Sequence, residues 1–153
     1  MNHRFLTRCA AAAALFTTLA VQAGECPADK VAANALAGAA MAPVGVTDTE
    51  LAWIDLGQEN VKLSQRRLRL RHMTIAPGGV VPLHSHADRP ALIYIISGKM
   101  TEYASNCSVP IVHTAGDVAR ETSQTAHWWK NTGSKTAVLI SADILHDQTD
   151  QNM

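Results

Sequence analysis

The segment "RRLRLRHMTI" (66–75) constrains this chain more than any other, because polar and apolar residues alternate along it. A repeat of two is the signature of a strand with one face turned to a core. The pattern recurs. "LAWIDL" begins at Leu51, "ALIYII" covers Ala91 to Ile96, "KMTEYA" follows Ser97-Gly98, and "TAVLISADI" runs from Thr136 to Ile144. Turn signals separate these runs: "PGG", "SG", "SNCSVP", "AGD" and "NTGSK". Many short strands at this spacing predict one all-β sandwich or barrel. "ALIYII" is apolar on both faces, which predicts a central strand. Only "ADKVAANALAGAAMA" (28–42) departs from the pattern, and its alanines predict a short N-terminal helix.

Apolar residues make up 47% of the 153-residue chain, enough for a packed core. Its 13 basic residues balance 13 acidic ones, so no basic field points to nucleic acid. The first 23 residues have a basic start with Arg4 and Arg8, an apolar stretch from Cys9 to Val21, and the small residues Val21 and Ala23. That order reads as a secretory signal peptide cut after Ala23. The expectation is therefore an exported protein, periplasmic or secreted. The apolar stretch is too short to cross a bilayer, and no later segment is longer, so no membrane insertion is expected. Loss of Arg4 and Arg8 leaves 11 basic against 13 acidic residues, a formal charge of −2. Residues 24–50 form an N-terminal segment with the helix, 51–144 the β-domain, and 145–153 a polar tail.

Cleavage leaves two cysteines, Cys26 and Cys107. In an oxidising compartment they either form one bridge or remain two buried thiols.

In "GGVVPLHSHADRPALIYIISG" (78–98), His84 and His86 stand two residues apart, so on a strand they project side by side. Such a pair also occurs on solvated surfaces. A third imidazole, His127, lies in "GDVARETSQTAHWWKN" (116–131). On a neighbouring strand it would complete a face of three nitrogens.

These two segments resemble the two motifs of the cupin family. Gly78, five residues, His84-Ser85-His86, four residues, Ala91, six residues and Gly98 follow the first motif. Gly116, five residues, Thr122-Ser123-Gln124, two residues, His127, three residues and Asn131 follow the second. The departures are Ala91, where the family has a ligating Glu, and Thr122 and Gln124, where it has Pro and Gly. The resemblance implies a cupin-type antiparallel β-barrel (a double-stranded β-helix, or jelly roll). Its histidines would point inward and hold one divalent transition metal, with iron, zinc, copper and nickel all compatible with imidazole ligands. Three neutral ligands leave the cation its full charge, which favours an anionic ligand and leaves open positions. Asp88 and Glu102 are the candidates to replace the missing carboxylate. Some three-histidine cupins are dioxygenases. The resemblance thus implies a dioxygenase- or isomerase-like enzyme acting on a small acidic metabolite, or a non-catalytic holder of metal or small ligand.

Arg89, Trp129 and Glu102 are candidate substrate-binding residues. Arg67, Arg69 and Arg71 share one strand face, read either as a carboxylate clamp or, preferentially, as a solvated stripe. His113 is read as a surface residue. Exposed strand edges favour a homodimer.

Overall fold

The computed structural model describes residues 24–33, 35–36 and 38–146. The expected signal peptide, residues 1–23, and residues 147–153 of the expected polar tail lie outside them. Eight strands form one antiparallel ladder: β1 (Val44–Asp55), β2 (Arg66–Ser85), β3 (Ala91–Ser97), β4 (Lys99–Ala104), β5 (Ile111–Thr114), β6 (Val118–Glu121), β7 (Ala126–Asn131) and β8 (Ala137–His146). Their order is β5-β4-β7-β2-β8-β3-β6, and β1 pairs with the edge of β2. The ladder curls into a barrel. Its two end strands, β5 and β6, leave a seam that no backbone ladder among the described residues closes.

Strand β2 explains the curl. Its first half pairs with β8 from Arg66 to Ile75, and its second half pairs with β7 from Val80 to Ser85. Pro77-Gly78-Gly79 lies at the change of partner. Gly79 is required there, because a Cβ would come within 2.8 Å of Ala76 O, Val44 O and the Ile75 side chain. Gly98 makes the β3–β4 turn at φ +87, where only glycine is unstrained.

Alternation sorts the faces. Ala91, Ile93 and Ile95 turn inward, whereas Leu92, Tyr94 and Ile96 are exposed, so β3 is not apolar-packed on both sides as its composition suggests. With Met73, Ile75, Val81, Met100 and Trp129, the inward residues form the barrel core. The same alternation reverses the expectation for β2: Leu68 and Leu70 are exposed, and Arg71 is buried.

The N-terminal segment departs most from its local propensity. Its helical structure among the described residues is limited to a 3₁₀ turn, Ala28–Lys30. Beyond it the backbone is drawn out along the β4–β5 loop, with Ala32 N–H donating to Asn106 O, Ala35 N–H to Ser105 O, and Val31 bridging Cys107. Cys26 and Cys107 are joined in a disulfide beside that run. Tertiary pairing thus displaces the alanine helix. Strand β1 begins at Val44 rather than Leu51.

Candidate metal centre

His84, near the end of β2, is register-paired with His127 on β7, and His86 stands just beyond the end of β2. The three Nε2 atoms converge: 3.1 Å between His84 and His86, 3.0 Å between His86 and His127, and 3.1 Å between His84 and His127. Each ring is anchored from behind through Nδ1. His84 Nδ1 lies 2.9 Å from Pro82 O, His86 Nδ1 2.6 Å from Arg89 O, and His127 Nδ1 2.8 Å from Glu102 Oε1. A backbone carbonyl or a carboxylate only accepts, so each Nδ1 carries the proton and each Nε2 presents a lone pair. Three lone pairs about 3 Å apart repel one another unless a cation lies between them. That edge length suits metal–nitrogen bonds of about 2.0–2.1 Å. Burial and the neighbouring ring of His127 hold His84 and His86 neutral, with His84 lowered to about 3 and His86 to about 4.

No carboxylate joins this triad among the described residues. Asp88 is exposed and ion-paired to Arg66, so it turns away from the triad. Glu102 stands behind His127 and orients its ring instead of ligating at the Nε2 side. Neither candidate for a fourth ligand reaches the triad, because only the Nε2 edges face the common point. Trp129 Nε1 also lies 2.9 Å from His127 Nδ1. That nitrogen cannot both accept from the indole and donate to Glu102. We assign its proton toward Glu102, whose interaction with it is charge-assisted.

Glu102 has a second partner. Its Oε2 lies 2.9 Å from Nε2 of His113, a fully buried ring stacked on Trp129 at 4.4 Å. The surface reading of His113 is therefore wrong: inward alternation on β5 places it in the core. Despite burial, the hydrogen bonds from His113 and His127 hold the Glu102 carboxyl down at about 2. Glu121 of β6 reaches within 3.4 Å of His127 Nδ1, and burial together with the Glu102 charge raises it to about 9. One carboxylate and one neutral acid thus share the far side of His127. Sequence reasoning missed both His113 and Glu121. The signal that would have found them is strand alternation, which points them inward with Ile111 and Ala119.

The other side of the triad is a cavity of about 20 Å³ lined by Arg71, Met73, Ile93, Trp129 and Leu139, together with His84 and His86. Arg71 is buried, donates to Asp48 at 2.5 Å and lies 3.3 Å from Asp143. It is not the solvated stripe expected; its register partner Ser141 and the buried Asp143 draw it inward. Arg69 grips Asp143 through two hydrogen bonds of 3.0 and 2.7 Å. Arg89 is also buried, with its guanidinium 3.9 Å from Asp143, and it contributes its carbonyl to His86. Trp129 lines the cavity wall, as alternation from His127 implies.

A family model for the cupin domain matches residues 71–143, which include all three histidines. No curated protein matches the chain. Among solved structures, a predicted oxalate decarboxylase from Thermotoga maritima is similar at TM-score 0.54 and 22% identity, over 71% of this chain and 94% of that one. An oxalate oxidase in complex with the substrate analogue glycolate is similar at TM-score 0.51 and 20% identity, over 72% of this chain and 59% of that one. The Schizosaccharomyces pombe Cnp3 cupin domain is similar at TM-score 0.51 and 12% identity, over 64% of this chain and 63% of that one. The match therefore spans less than two thirds of the latter two chains. At these identities the likeness is one of fold.

Proposed function

The chain belongs to the cupin family, and on that premise we propose that it is an exported metalloprotein whose His84, His86 and His127 hold one divalent transition metal and act on a small carboxylic acid. The observation that carries the reading is the meeting of three Nε2 atoms at 3.0–3.1 Å with every Nδ1 tied to an acceptor. When bound, the metal supplies Lewis acidity and open positions for substrate or dioxygen. The protein's own residues do the rest. Pro82 O, Arg89 O and Glu102 fix the rings, Trp129 and Met73 exclude water, and Arg71, its charge already met by Asp48 and Asp143, offers a buried Nε–H with no partner among the described residues to an anion beside His84 and His86. Oxalate chemistry in two structural neighbours is compatible with a small acid, and iron, zinc, copper and nickel all suit the ligands.

One observation favours a second reading, a non-catalytic metal or small-ligand holder. The cavity beside the triad, about 20 Å³, accommodates roughly one water. A dicarboxylate enters only if Met73, Ile93 or Leu139 changes rotamer; a bare metal with one water needs no movement. The test is elemental analysis of protein isolated from its native compartment, alongside His84→Ala and His127→Ala, followed by oxygen uptake and decarboxylation assays on small acids. Equal metal in all three proteins would remove the site. Stoichiometric metal without turnover would select the holder.

We further propose a homodimer. Leu70, Ala142 and Leu92 form one row across β2, β8 and β3, with Tyr94 and Val118 in the adjoining row. Leu70, Leu92, Tyr94 and Val118 are exposed, and a contiguous apolar sheet face of this kind calls for a cover.

A further inference from the structure

A second, larger pocket of about 390 Å³ lies at the seam between β5 and β6 and is lined by Ile111, Ala119, Glu102 and Glu121. Gly24, Glu25 and Cys26 form part of its wall. These are the first three residues after the cut predicted at Ala23, and each is held. Gly24 is buried, Glu25 ion-pairs with Arg120, and Cys26 is bridged to Cys107. If cleavage makes Gly24 the chain start, the ion pair and the disulfide keep that start from fraying.

Next to Gly24 is a polar atom with nothing to bind. His113 Nδ1 is fully buried and has no hydrogen-bond partner among the described residues. Its other nitrogen faces the Glu102 carboxylate at 2.9 Å, so Nε2 bears the proton and Nδ1 is an acceptor in need of a donor. A Cβ placed on Gly24 would stand 3.0 Å from that Nδ1 and 3.6 Å from the Asp117 Cβ, so residue 24 lies directly against the ring. An orphaned buried acceptor costs about 1–3 kcal/mol.

We infer that the α-amino group released by cleavage after Ala23 is the missing donor: the new terminus at Gly24 hydrogen-bonds to His113 Nδ1 and completes a chain through Glu102 to His127. The ammonium brings three donors on a freely rotating bond, which a peptide N–H in an uncleaved chain lacks. It also brings a positive charge to a pocket holding Glu102, Glu121 and the nearby Asp117. The terminus is a positioning group: it fixes His113, which fixes Glu102, which fixes the ring of His127. The inference rests on the export reading, and its test separates the two.

Three proteins are compared: one released by protease to begin at Gly24, the same protein with Ala23 retained, and the Gly24 protein acetylated at its terminus. The first readout is the rate at which an acylating reagent modifies the terminal amine in the two unacetylated proteins. The second is the ¹⁵N resonance of His113 Nδ1 in all three. In the Gly24 protein, acylation should be about tenfold slower than in the Ala23 protein, the protection expected of one charge-assisted hydrogen bond. Only in the Gly24 protein should the His113 Nδ1 resonance move from the free lone-pair position. Equal acylation rates, or an Nδ1 resonance common to all three, overturns the inference. So does terminal sequencing of the natively exported protein that finds a start other than Gly24, even though export itself would then stand.

Discussion

Replacing Glu121 by Gln should stabilise this protein at neutral pH, although it removes an acid from the candidate site. Glu121 is 3% exposed and lies beside the Glu102 carboxylate, and burial with that charge raises its carboxyl from 4.5 to about 9. In the unfolded chain it titrates near 4.5. Between these values the folded protein binds a proton that the unfolded chain has released, so stability falls with rising pH by about 1.4 kcal/mol per unit. At pH 7 the gap of 2.5 units amounts to about 3.4 kcal/mol. Glu102 shares part of the coupling, and we expect about 2–3 kcal/mol. Gln keeps the shape and donor capacity of the neutral acid without the proton uptake. Metal-free E121Q should therefore melt about 6–10 °C above the parent at pH 7, by the usual conversion for a domain of this size. The increment should vanish below pH 4.5 and grow up to about pH 9. Thermal unfolding by circular dichroism at half-unit pH steps measures it. Parallel curves for parent and variant between pH 5 and 8 would refute the reasoning, because Glu121 would then be ionised in the fold.

Other expectations follow from the same geometry. His84 and His86 are held neutral, with values lowered to about 3 and 4 from 6.5, so the stability they contribute is intact above pH 6.5 and lost as pH falls through these values. Metal-free H84Q/H86Q should show a flatter acid limb in urea titrations from pH 6.5 to 4. Glu102→Gln should weaken metal binding by about 10- to 100-fold in chelator competition, because the ring of His127 loses its charged anchor; unchanged affinity would deny Glu102 that role. Cys26→Ser with Cys107→Ser opens a loop with a sequence separation of 81 and should cost at most about 4.5 kcal/mol in urea unfolding, and about 2–4 because the tied segment is short. Leu92→Glu with Tyr94→Glu should convert a dimer to a monomer in sedimentation analysis while leaving the metal content intact.

The sequence made the strands and the converging histidines readable for local reasons. His84 and His86 sit at a spacing of two, His127 and Trp129 do likewise, and glycines at positions 78, 98 and 116 frame them. What stayed hidden is set by distant pairing. Ala28 to Ala42 carries a helical composition, but hydrogen bonds to Ser105 and Asn106 and the Cys107 bridge draw the backbone out. The arginines of β2 look like a solvated stripe until Asp143 and Ser141, 74 and 70 residues away from Arg69 and Arg71, are seen directly opposite. His113 and Glu121 gain meaning only because β5 and β6 flank the seam and aim both toward the neighbourhood of Glu102.

The ring of His127 is a partition one imidazole thick. Its Nε2 edge meets His84 and His86, which line the inner cavity, and its Nδ1 edge meets Glu102 and Glu121, which line the outer pocket. Were a metal held at Nε2, a molecule bound beside Glu102 and Glu121 would act on it only by altering the grip on Nδ1, which changes how strongly the opposite nitrogen gives its electrons. On the proposed metal reading, occupancy of the outer pocket would tune an ion's acidity without contact with it.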